Sequence, residues 1–257
     1  MKRGFTLLEL SFVLVVVGLL IGSITISFTL IENAQIKRTI TEWAQYEQAY
    51  NKFRDTYDYD PGDIPASTNA FGSGEKYGNG DGDVKDASGS SYPYAEPYLF
   101  WRQLHLAGLI EKEYTCNGLC LKQWDGQYFY DTWATLAPFP AGITVPKAPL
   151  PNTVFNIRDW RYEARDKMAL SIGLVGKNNN GAVGPKVAAA LDTKMDDGYP
   201  RTGKLYTVHQ SCSSLATQNR CFTNYSSCYP TSTSEYDFTY DDHHNCYMQY
   251  ILDETFQ

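Results

Sequence analysis

The chain has 257 residues, 22 of them basic and 29 acidic, for a formal net charge of -7 and a pI of about 5.1. That balance argues against a nucleic-acid partner, because neutralising phosphates takes clustered Lys and Arg. The mean hydropathy of -0.39 excludes a polytopic membrane protein but leaves room for a single span, and 20 Tyr, 12 Phe and 5 Trp supply a folded core.

Residues 10–31 form 22 consecutive uncharged, mostly apolar positions. As a helix such a run covers roughly 33 Å, enough to cross a bilayer core. Lys2 and Arg3 precede it, which predicts a cytoplasmic N-terminus with the remainder of the chain outside. A secretory signal peptide would end at small residues, and Gly22-Ser23 could be read so, yet the apolar character continues to Ile31. Neither a signal peptide nor a plain anchor explains Glu9, a carboxylate at the edge of the apolar run that needs a partner if it enters lipid.

The segment Lys2-Arg3-Gly4-Phe5-Thr6-Leu7-Leu8-Glu9 resembles the class III leader of type IV pilins and type II secretion pseudopilins. The resemblance implies cleavage after Gly4 by a prepilin peptidase, methylation of the new amine at Phe5, and an assembly role for Glu9, the fifth mature residue. It divides the chain into a leader (1–4), a transmembrane and filament-core helix (5–31), an amphipathic continuation (32–57) and an extracytoplasmic head (58–257). It also implies an α+β, pilin-like fold, with a long N-terminal helix packed on a head that holds a small antiparallel sheet. The implied partners are other pilin or pseudopilin subunits, the peptidase and an inner-membrane assembly platform. The implied location is the bacterial inner membrane, as a single pass with the N-terminus cytoplasmic and the head periplasmic or on an extracellular filament. Catalysis is not expected. Gly18 and Gly22 form a GxxxG pair that allows close helix approach. The family's major subunits usually carry Pro at mature position 22, where this chain has Ile26, which favours a minor subunit.

Beyond the apolar run, Ile36, Ile40, Trp43, Tyr46, Tyr50, Phe53 and Tyr57 recur in steps of three and four, predicting that one helix continues to Tyr57 with a single apolar face. Asp60-Pro61-Gly62 is the predicted terminator. Phe53-Arg54-Asp55-Thr56-Tyr57 followed by Pro61-Gly62-Asp63, the stretch from Phe100 to Ile110, and that from Leu191 to Gly198 resemble a group of large bacterial prepilin-like proteins.

Residues 69–91 read as a Gly-, Asp- and Ser-rich loop. Within it Asn79, Asp81, Asp83 and Asp86 follow the front half of a calcium loop, but Val84 stands where Gly is wanted and the twelfth position lacks Glu. An acidic turn is the competing reading. No cofactor is required, and Ca2+ is the one candidate. The head elements predicted next are a helix over 96–111, a strand over 127–135, a buried strand over 168–175, a helix over 185–196 and strands over 204–209 and 247–252.

The six Cys (Cys116, Cys120, Cys212, Cys221, Cys228 and Cys246) lack a CxxC pair and fit disulfides in an oxidising compartment. The favoured pattern is Cys116 with Cys120 and the other four among themselves. Gly198 to Lys204 matches GxxxxGK, but Leu205 follows where a nucleotide loop needs Ser or Thr. Asp241-Asp242-His243-His244-Asn245-Cys246 has zinc-like composition, but neighbours on an extended chain point to opposite faces. The Tyr-rich tail (Tyr225, Tyr229, Tyr236, Tyr240, Tyr247, Tyr250) reads as sheet packing or an adhesive surface. The alternative to a filament subunit is therefore an anchored binding or adhesin module that recognises a surface, DNA or an exported substrate.

Overall fold

The computed structural model describes residues 6–82, 84, 96–115, 142–143, 145–160, 167–174, 182–209, 228–229, 235–238 and 246–252. The predicted strand over 127–135 lies outside these residues.

One helix, α1 (Leu7–Tyr57), runs for 51 residues, about 77 Å at 1.5 Å per residue. It starts at the N-cap Thr6 and ends where Asp58 turns left-handed (φ 59°) and donates its N–H to the Arg54 carbonyl at 2.8 Å. The stop therefore precedes Asp60-Pro61-Gly62. A left-handed Asp, not the proline, closes the helix.

The head is α+β. Its helices are α2 (Glu96–Leu106) and α3 (Pro185–Met195). Its strands are β1 (Thr153–Trp160), β2 (Lys167–Leu174), β3 (Leu205–His209) and β4 (Cys246–Ile251), which form one antiparallel sheet in the order β1-β2-β4-β3. The last strand thus sits in the interior of the sheet, between β2 and β3. β1 is not among the strands predicted above.

Helix α2 ends five residues short of its predicted limit. The Gly108 N–H donates to His105 O at 2.8 Å and the Leu109 N–H to Leu104 O at 3.0 Å, a Schellman close with Gly108 at φ 70°. Leu109 and Ile110 continue the apolar rhythm in sequence but belong to the turn. Helix α3 opens on Pro185 at its first turn, where a missing N–H costs nothing.

Register places Phe155, Ile157, Leu170, Ile172, Leu205, Met248 and Tyr250 on one sheet face. This face meets α1. Trp43 is fully buried, donates its indole N–H to Leu170 O at 3.3 Å, and lies 6.0 Å, ring to ring, from both Phe155 and Tyr250. Tyr46 bridges Phe155 and Trp101 of α2 edge-on at 5.3 and 5.0 Å. Tyr50 stacks on Phe100, and Phe53 packs with Tyr57 and Phe71. The opposite sheet face, with Val154, Ala169, Ser171, Tyr206, Tyr247 and Gln249, is buried as well.

After α1 the chain crosses itself closely. Gly78 donates to Ile64 O at 2.8 Å, and a Cβ on Gly78 would sit 2.3 Å from Gly62 O and 2.6 Å from Asp63 Cα. Gly78→Ala must displace backbone and is expected to cost about 1–3 kcal/mol. Gly74→Ala, whose Cβ meets nothing within 4 Å, should stay within about 0.5 kcal/mol. Urea denaturation of the full chain in detergent, followed by Trp fluorescence, checks the difference. Equal midpoints would contradict the crossing.

Candidate functional site

The described residues at the start of α1 form a capping box. The Glu9 N–H donates to Thr6 Oγ1 at 3.2 Å, while Glu9 Oε2 accepts from the Thr6 N–H at 2.8 Å and the Thr6 hydroxyl at 2.9 Å. Gly4 and Phe5 lie outside the described residues. Glu9 is exposed, and its carboxylate is held at the helix N-terminus, where negative charge is favoured. From Leu7 to Ile31 every described side chain is exposed, Leu7 by 87% and Leu19 by 70%. Gly18 and Gly22 lie one turn apart, and a Cβ on either would meet nothing within 4 Å. Three hydroxyls described inside this apolar stretch bond locally: Ser11, Ser23 and Ser27 donate to the carbonyls of Leu8, Leu20 and Ser23. The helix is long and apolar enough to cross a membrane.

The surface of α1 changes at residue 36. Ile36, Trp43, Tyr50 and Phe53 are buried beneath the head, and Ile40, Tyr46 and Tyr57 are half-buried. Polar links join the Trp43 hydrogen bond in tying the stem to the head. Lys204 and Tyr250 both engage Glu47, Tyr250 through its hydroxyl at 2.9 Å, and Lys204 also lies 5.0 Å over the Tyr250 ring. Tyr50 donates to Asp60 at 2.9 Å, fixing the chain just past the helix end.

Of the calcium-loop candidates, Asn79 and Asp81 are described, whereas Asp83 and Asp86 lie outside the described residues. The structure brings Asp81 to two residues that the sequence pattern did not single out, Asp63 and Glu96, with one carboxylate oxygen from each within 4.8 Å of the others. Asp63 is buried, and backbone N–H groups wrap it: Gly80 at 2.7 Å and Asp81 at 3.2 Å on Oδ1, and Gly82 at 2.9 Å on Oδ2. Glu96 Oε1 accepts the Asn79 N–H at 3.0 Å, and Asn79 Oδ1 accepts the Asp81 N–H at 2.7 Å. Burial pushes the Asp63 carboxyl up, the N–H groups of Gly82 and Gly80 oppose this, and the Asp81 charge adds to it. Gly80 and Gly82, at φ 76° and 86°, let successive N–H groups converge on one carboxylate. These hydrogen bonds hold the buried Asp63 carboxylate and fix the loop around it, and the oxygens of Asp63, Asp81 and Glu96 lie close enough together to hold a metal ion.

A second group of carboxylates closes α3. Asp192 is fully buried and accepts from Tyr236 at 2.6 Å and from the Gly198 N–H at 3.2 Å. Asp196 caps the turn into β3, accepting from the N–H groups of Lys204 and of Leu205, the latter at 3.0 Å. Asp197 accepts from the Tyr199 N–H at 2.9 Å and the Thr202 hydroxyl at 2.5 Å. The GxxxxGK stretch is thus the α3–β3 turn, and its Lys204 is paired with Glu47.

Cys228 and Cys246 form a disulfide, which takes Cys246 out of any zinc set. Cys116, Cys120, Cys212 and Cys221 lie outside the described residues, as do Asp241, Asp242, His243, His244 and Asn245. Tyr229, Tyr236, Tyr247 and Tyr250 are buried, so these four serve packing instead of an adhesive surface; Tyr225 and Tyr240 lie outside the described residues. Comparisons of the chain with family models, with curated proteins and with solved structures find no match.

Removing the Asp63 carboxylate takes the acceptor from the Gly80 and Gly82 N–H groups, while the Asp81 N–H keeps Asn79 Oδ1. Asp63→Ala is expected to cost about 2–3 kcal/mol, and Asp81→Ala, at an exposed side chain, under about 0.5 kcal/mol. Denaturation midpoints of the two variants check this, and equal losses would contradict the role given to Asp63.

Proposed function

We propose that the chain is a structural subunit of the pilin class, a pseudopilin or minor pilin. It is cut after Gly4 by a prepilin peptidase and assembles through its N-terminal helix into a type II secretion pseudopilus or a type IV pilus. The observation that carries the proposal is the division of one continuous helix. The apolar part up to Ile31 has no protein cover, and the part from Ile36 is the central element of an α+β head. A globular protein gains nothing from the 15 large apolar side chains that are exposed among the described residues from Leu7 to Ile31, each of which would favour removal from water. Lipid covers them before assembly, and the shafts of like subunits cover them afterwards.

Glu9 supplies order to that exchange. Cleavage at Gly4–Phe5 would create a positive amine in an apolar setting, and a carboxylate there is tolerable when the two charges meet. Close approach of shafts is eased by Gly18 and Gly22, whose faces are open. The peptidase and a membrane assembly platform are the partners this reading requires. The inner membrane, with the head on the outer side, is the location that the charges of Lys2 and Arg3 favour.

Glu9→Ala is expected to leave cleavage intact and to lower the yield of sheared filament at least tenfold, measured by immunoblot of the pelleted fraction against total processed subunit. Glu9→Ala filaments at wild-type yield would overturn the assembly role of Glu9.

A further inference from the structure

Asp192 joins three elements that are distant in sequence. It sits on α3 with no exposure, and its Oδ2 accepts the Tyr236 hydroxyl at 2.6 Å. That hydroxyl also lies 2.8 Å from Thr207 Oγ1 on β3. Tyr236 belongs to the stretch bounded by the Cys228–Cys246 disulfide, and the next residue, Asp237, donates its N–H to Cys228 O at 2.9 Å. Among the described residues, the charged groups that act on Asp192 are the carboxylates of Asp196 and Asp197. Asp196 and Asp197 each bring an oxygen into a group with Asp192 in which all lie within 4.8 Å of one another. On the turn before β3, Lys204 is directed to Glu47 of α1, where Tyr250 of β4 also donates. Asp192 is therefore a buried carboxyl whose hydrogen-bond donors are a tyrosine hydroxyl and one amide, set beside two carboxylates.

We infer that Asp192 is a proton-operated latch: carrying a proton, it holds the Tyr236 segment against α3 and β3, and once ionised it loosens that hold. Opening the segment would return Asp192 to water, which relieves a buried negative charge but does nothing for a neutral acid. Burial is the largest influence and pushes the carboxyl up to about 6; the hydrogen bonds from Tyr236 and Gly198 oppose it, and the Asp197 and Asp196 charges add to it. The sign follows. The closed form binds the proton more tightly than the open form, so the hold is complete below the ordinary Asp value of about 3.9. It is lost as pH rises through about 6.

Hydrogen exchange on the full-length chain in detergent tests the latch, with protection at the peptide containing the Asp237 amide corrected for intrinsic exchange at about pH 4.5 and 7.5. In the wild type, protection is expected to fall about tenfold or more on going to the higher pH, since one unit of pKa difference is a factor of ten. Asp192→Asn, which keeps an acceptor without the charge, should hold the acidic level at both values. Tyr236→Phe, which removes the tether, should be weakly protected at both. Equal wild-type protection at the two pH values overturns the inference, and so does a wild-type-sized fall in either variant. Should Asp192→Asn fail to fold, the wild type and Tyr236→Phe decide alone.

Discussion

The contact on which the head depends is the seating of Trp43 against the sheet. Its ring touches Phe155 on the edge strand β1 and Tyr250 on the interior strand β4, and its N–H reaches the carbonyl of Leu170 on β2, so one side chain engages three of the four strands. Burying an indole without satisfying its N–H is costly, and the Leu170 carbonyl removes that cost. The neighbours on the same stripe, Tyr46, Tyr50 and Phe53, extend the contact to α2 and to the loop at Phe71. The stem is thus the hydrophobic centre of the head.

The two parts of α1 solve different solvent problems with one backbone. From Leu10 to Ile31 the backbone N–H groups bond within the helix, and Ser11, Ser23 and Ser27 return their hydroxyls to it, so the segment suits an apolar surrounding. Over 36–57 the aromatic stripe seeks the sheet, while Arg38 and Glu42 form an i,i+4 pair on the outside. Because the helix is unbroken, any force or displacement applied to the shaft reaches the head through a rigid rod. Glu47 with Lys204 and Tyr250 fixes one side of that junction, and Tyr50 with Asp60 fixes the other.

How much of this could be read in the sequence varies with the range of the interaction responsible. The helix α1 is written in a local code, a long apolar run followed by a stripe at helical spacing, and its existence is plain. Its end is less so, because Pro61 is the conspicuous breaker and Asp58 the residue that turns left-handed. Leu109 and Ile110 prolong the rhythm of α2 past a close made at Gly108. Strand β1 escapes notice because Val154, Phe155 and Ile157 are all buried and the sheet is covered on both faces, which erases the in–out alternation that marks a half-exposed strand. The acidic groups are the least legible. Asp63 finds its amides 17 to 19 residues away and Asp192 its tyrosine 44 away, and no local pattern announces such meetings. Asn79 and Asp81 mark the loop in the sequence, but the carboxylate at its centre comes from Asp63.

The central claim is that the exposed apolar helix belongs to a subunit matured at Gly4–Phe5, and the mass of the intact chain tests it most directly. The chain would be purified from cells that have a prepilin peptidase and from cells that lack one. The account predicts loss of the first four residues and gain of one methyl group on the new amine when the peptidase is present, and the full-length mass when it is absent. The same uncut mass from both cells would contradict it.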